Sequence, residues 1–118
     1  MSLPEELIGD STLTKIQVES LASYLDVLSH HTTMREVAAS RKPKPVTVGS
    51  YHRTVQQGRN NIKSSLRTVI VAVWFGFAKP DDLRRLLDLT AVRLTGADQD
   101  RYDRLAPVIE ALISKIVM

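Results

Sequence analysis

The residues best equipped for chemistry stand between Ser50 and Lys63: Ser50, His52, Arg53, Gln56, Gln57, Arg59, Asn60, Asn61 and Lys63. Guanidinium, amide and hydroxyl groups make bidentate contacts with base edges and grip phosphate oxygens. Their spacing suits a helix, on which Arg53 and Gln56 lie a turn apart and project to one side. After Glu36 the chain carries no acidic residue until Asp81. That chemistry is recognition of a polyanion.

Charge placement points the same way. Residues 35–67 hold Arg35, Arg41, Lys42, Lys44, Arg53, Arg59, Lys63 and Arg67 against Glu36 alone, a balance of +7. The rest of the chain carries −4, so the net +3 hides a strong concentration of base in one segment. A polyanion partner selects such a footprint, although a solvated basic face has the same composition.

Catalytic readings are weaker. The chain has no cysteine, which excludes disulfides, thiol nucleophiles and thiolate-bound zinc. His30 and His31 are adjacent, so on a helix they point about 100° apart and do not share a metal. Asp81-Asp82 and Asp98-Gln-Asp100 read as helix-start charges. Gly49 and Gly76 belong to no phosphate-cradling loop. No enzyme, metal or cofactor is expected.

The elements that must position the basic segment are helices. Thr14-Lys-Ile-Gln17 reads as a capping box that opens a helix to about Ser29. Ile16, Leu21, Tyr24, Leu25 and Leu28 are its expected inner face. His30-His31 ends it, and Thr33-Met-Arg-Glu36 opens a second, short helix through Val37, Ala38 and Ala39. Arg41-Lys-Pro-Lys-Pro45 breaks that helix, because proline lacks a donor and disfavours helical geometry before it. Thr47 is then the expected cap of a long helix with Tyr51, Val55, Ile62 and Leu66 along one stripe.

That helix continues through an apolar segment, 66–77, which spreads around the whole circumference and is expected to be buried all round. Gly76 suits its C′ position. Pro80, Asp81 and Asp82 suit the first turn of a further helix with Leu83, Leu86, Leu87 and Leu89 inside. A turn at Thr95-Gly-Ala-Asp98 leads to a last helix through Tyr102, Leu105, Ile109, Leu112 and Ile116, with Pro107 kinking it or marking its effective start. Residues 1–12 read as an irregular lead-in. No segment alternates as a strand would.

Leu13-Thr-x-x-Gln17, Thr33-Met-Arg-Glu-Val-Ala38, Val46-Thr-Val-Gly-Ser50 and Gln57-Gly-Arg-Asn-Asn-Ile62 together resemble helix-turn-helix domains. The nearest pattern is that of sigma-factor region four and its relatives among response regulators and archaeal regulators. The resemblance covers about residues 13–66, and it departs from the family in its long Pro-Lys-Pro turn and in Arg41, where the family has an aliphatic residue. It implies a DNA-binding transcription regulator whose helix from Val48 to Ile62 enters the major groove. Val48, Gly49, Ser50, His52, Arg53, Gln56 and Gln57 would then face the bases. Arg59 and Lys63 would lie near the backbone, with Arg41, Lys42 and Lys44 contributing from the turn.

At 118 residues, the chain is expected to be a single all-α domain, a helix-turn-helix core over 13–66 extended by helices over 67–118. Met1-Ser-Leu-Pro-Glu-Glu lacks the basic and apolar regions of a signal peptide, and the longest apolar run, Val69 to Phe75, is too short to span a bilayer. The expected location is cytoplasmic, without membrane contact. The partners expected are double-stranded DNA and a second copy, joined through Leu66, Ile70, Phe75 and the C-terminal Ile113, Ile116, Val117 and Met118. The competing reading is a helical protein–protein adaptor whose amide-rich side is merely solvated.

Overall fold

The computed structural model describes residues 5–91 and 99–117. They form six helices: α1 (Glu5–Gly9), α2 (Lys15–Leu28), α3 (Met34–Ala39), α4 (Val48–Phe75), α5 (Pro80–Leu89) and α6 (Gln99–Ile116). Among the described residues there is no strand, only an isolated antiparallel bridge between Ala78 and Val117. The fold is all-α. The expected turn at Thr95–Asp98, the side chain of Tyr102 and Met118 lie outside the described residues.

The starts and stops follow local chemistry. Thr14 Oγ1 accepts from the Gln17 N–H at 3.1 Å while Gln17 Oε1 accepts from the Thr14 N–H at 3.2 Å, a complete capping box. The second box is only half formed. Thr33 Oγ1 accepts from the Glu36 N–H, but the Glu36 carboxylate takes the Thr32 hydroxyl at 2.8 Å. Thr47 caps α4 by accepting from the Ser50 N–H at 3.0 Å.

Both α2 and α4 end in the same hydrogen-bonded loop. In α2 the His30 N–H bonds to Val27 O and the His31 N–H to Asp26 O, with His30 at φ 62°. In α4 the Gly76 N–H bonds to Val73 O and the Phe77 N–H to Ala72 O, with Gly76 at φ 83°. This is the Schellman arrangement, which needs a left-handed residue after the last turn.

The chain divides into two compact units, Glu5–Ser64 and the part from Ser65 onward, and α4 runs through the boundary. In the first unit Ala38, Tyr51 and Val55 form the buried centre, packed by Leu21, Tyr24, Met34, Val37 and Val46. The Tyr51 hydroxyl meets Ser23 Oγ at 2.6 Å and donates to Ser20 O at 3.0 Å, so its one buried polar atom is satisfied. Gly58 lets α4 approach α2 closely, because a Cβ there would stand 2.8 Å from Leu21 Cδ1. In the second unit the buried residues are Ala78, Ile109 and Ile116.

Several expectations need correction. Residues 5–9 are helical, so the lead-in is not wholly irregular. α6 is already helical from Gln99, and Pro107 sits inside it and does not start it. A proline removes one hydrogen bond, and the turns on either side carry the helix through. Ile16, Leu25, Leu28 and Leu87 are exposed, as are Ile62, Leu66, Val69, Ile70, Val71, Trp74 and Phe75. Periodicity tells which way an apolar side chain points, but burial also needs a neighbour at that height. α3, only six residues long, does not supply one along the whole of α2. The all-round burial expected for 66–77 fails for the same reason.

Candidate nucleic-acid interface

α4 sorts its residues by angle. Tyr51, Val55 and Gly58 are buried and define its inner side. At 100° per residue, Arg53, Gln56, Asn60 and Lys63 form a stripe on the opposite side, with His52 and Arg59 along one flank and Gln57 along the other. All of these are exposed except Gln56, which is half-buried. Among the described residues Arg53, Arg59 and Lys63 form no ion pair. Their charges are therefore uncompensated by any neighbouring carboxylate.

The turn before α4 runs over eight residues, 40–47, longer than the three or four of a compact helix-turn-helix. It is tied at its base, because the Ala38 carbonyl accepts from both the Arg41 N–H at 3.4 Å and the Val46 N–H at 3.0 Å. The Lys42–Pro43 peptide bond is cis. Lys42 and Lys44 are exposed on this turn.

Arg41 differs from its two lysine neighbours. It is half-buried, and its Nη1 donates to Thr54 Oγ1 at 3.4 Å, a long bond that leans the turn on α4. The Thr54 hydroxyl in turn donates to Ser50 O at 3.2 Å. Ser50 is half-buried at the start of α4, and its backbone takes part in the Thr47 cap. Val48 and Gly49, in the first turn, are exposed.

One amide of the polar segment serves the scaffold. Asn61 Nδ2 donates to Thr12 O at 2.7 Å and to Gln17 Oε1 at 3.2 Å, pinning the entry of α2 to α4. Its neighbour Asn60 is exposed. Nothing in the local sequence separates the two asparagines; only the 100° step between them does. Thr54 was likewise silent in the sequence, because its role depends on where the turn folds back.

Burial pushes the Tyr51 phenol above its ordinary pKa, against a smaller opposing effect of the Ser23 hydrogen bond. The tyrosine is thus neutral at physiological pH and structural. Among the described residues no cluster of His, Asp and Glu could hold a metal ion. A shallow concavity lined by Ile8, Gly9, Leu13, Thr14 and Lys15 gathers no acid, base and nucleophile. No described helix is long and apolar enough to cross a membrane.

No family model, curated protein or solved structure matches the chain.

Proposed function

We propose that the chain is a DNA-binding transcription regulator that lays the N-terminal half of α4 in the major groove. The observation that carries this reading is the stripe of exposed Arg53, Asn60 and Lys63 with half-buried Gln56 opposite a packed inner side, in which Arg53 and Lys63 form no ion pair among the described residues. Arg53 and Gln56 are the base readers in this reading, each able to make a bidentate contact. His52, Gln57 and Ser50 border them. Arg59, Lys63, Lys42 and Lys44 hold phosphates, and Arg41 reaches a phosphate only from its tether on Thr54. The sequence resemblance to helix-turn-helix regulators supports the reading independently of charge. The regulator acts as a homodimer, joined through apolar residues from Leu66 onward.

A gel-shift titration on random duplex DNA across salt concentrations tests it. Binding should weaken linearly on a log–log salt plot, because each phosphate contact releases condensed counterions. Absence of binding at low salt would overturn the reading. The adaptor alternative draws on a separate observation, the exposed apolar residues of the second half of α4. That outcome would then be the one to pursue.

A further inference from the structure

From Ser65 onward the outward side of α4 turns from basic to apolar. Measured from Leu66, the helical step puts Ile70 at about 40°, Trp74 at about 80°, Val71 at about 140° and Phe75 at about 180°. All five side chains are more than half exposed, Trp74 most of all at 83%. The arc ends in an aromatic tip. The Trp74 and Phe75 rings meet edge to face with centroids 5.7 Å apart, and Phe75 meets Phe77, past the Gly76 stop, at 6.4 Å. Phe77 is exposed as well.

Positive charge frames this arc. Arg67 lies within it, at about 100° from Leu66, and Lys79 follows the aromatic tip by two residues. Both are exposed, and neither forms an ion pair among the described residues. Earlier on the same helix, Arg59 and Lys63 point to this side too. No charged residue occurs from Thr68 to Ala78. The nearest acids along the chain, Asp81 and Asp82, are paired with Arg84 at 3.0 Å and with Arg85 at 3.7 Å. An exposed apolar surface thus sits between unneutralised cations.

We propose that the last three turns of α4 and the Phe77 tip dock on an anionic phospholipid surface, rings and Ile70 in the interfacial layer, Arg67 and Lys79 at the lipid phosphates. Charge complementarity selects this occupant. Against a second copy, Arg67 would bring like charge to the contact, whereas an anionic leaflet attracts each basic residue near it. Shape agrees. The apolar arc covers about half the circumference of the helix, wider than the roughly 100° stripe that one element packs against another, and a fluid interface closes around it. Indole and phenyl rings also favour the headgroup level. Such an anchor lies on the bilayer and does not cross it, so the expectation of no membrane contact, drawn from the lack of a spanning run, does not reach it. The proposal goes beyond the regulator reading and does not rest on it. A homodimer would then use other apolar residues of this unit, such as the exposed Ile113 and Val117 of α6.

The test is made without DNA, so its failure is distinct from a failure of DNA binding. Vesicles of phosphatidylcholine with roughly a third phosphatidylserine supply the negative surface, and pure phosphatidylcholine vesicles do not. Trp74 is the chain's single tryptophan, so its fluorescence reports on the row directly. The full chain should pellet with the anionic vesicles, with a blue-shifted emission, and should bind the neutral ones at least about tenfold more weakly. Arg67→Ala and Lys79→Ala should each weaken anionic binding by about fivefold, and added salt should weaken it further. Ile70→Glu keeps the reporter and should lower binding by about tenfold or more. Because Ile70 is exposed, circular dichroism of that variant should match the wild type. No pelleting and no shift with anionic vesicles at low salt overturns the proposal. So does equal binding to both kinds of vesicle, or an Ile70→Glu variant that binds as well as the wild type. A blue shift that grows with protein concentration in the absence of vesicles would overturn it too, and would assign the row to a second copy.

Discussion

Tyr51 shows how one side chain can join packing to polarity. Its ring lies at the buried centre of the first unit, and its hydroxyl meets Ser23 and the Ser20 carbonyl. Tyr51→Phe keeps the ring and should cost about 1–2 kcal/mol at neutral pH, a hydrogen bond lost with its partners left to find others. The pH dependence has a definite sign. Burial raises the folded pKa above the unfolded value of about 10, so the folded state holds the phenolic proton more tightly. This contribution to stability is complete below the unfolded pKa and is lost as pH rises through the folded one. Urea titrations between pH 7 and 11 should show a steeper alkaline loss for wild type than for Tyr51→Phe. Identical slopes would mean that the phenol is not buried.

At the scale of elements, two glycines serve α4 in opposite ways, one inside it and one just past its end. Gly58 is a contact: a Cβ there would press on Leu21 of α2, with the Gln17 Cβ a further 3.5 Å neighbour. Gly58→Val should lower stability by about 2 kcal/mol through overpacking, measured as a lower urea midpoint. An unchanged midpoint would show that α2 and α4 do not meet there. A Cβ at Gly76 would meet nothing within 4 Å, and the residue matters because its φ is 83°. Gly76→Ala should cost about 1 kcal/mol, the penalty for placing an L side chain in the left-handed region. Tolerance of alanine without loss would contradict the Schellman ending of α4. His30 holds the corresponding place after α2 with φ 62°, and a histidine at that angle is strained where glycine would not be.

For the molecule as a whole, the electrostatic asymmetry has a quantitative consequence. If Arg59, Lys63, Lys42 and Lys44 each engage a phosphate, the log–log salt slope should be about −3 to −4 on duplex DNA. Arg59→Ala should weaken binding about equally on all sequences and flatten that slope by about one. Loss confined to one preferred sequence would instead place Arg59 on a base edge.

What the amino-acid sequence determined by itself were the local events. Thr14, Thr33 and Thr47 announce three helix starts, Gly76 a stop and Pro80 a restart, because caps and left-handed residues act within a few positions of one another. The stripe of Arg53, Gln56, Asn60 and Lys63 could be read in the same way, since helical spacing alone sets which side chains share a face. Tertiary structure decided everything that depends on a neighbour far along the chain. It turned Asn61 into a clasp on Thr12 and Gln17, and it tied Arg41 to Thr54. It also left Leu66, Ile70, Trp74 and Phe75 uncovered, where the apolar pattern promised burial. The reason is physical: hydrophobicity fixes a preference for leaving water, and only the packed chain determines whether a neighbour is there to receive the side chain.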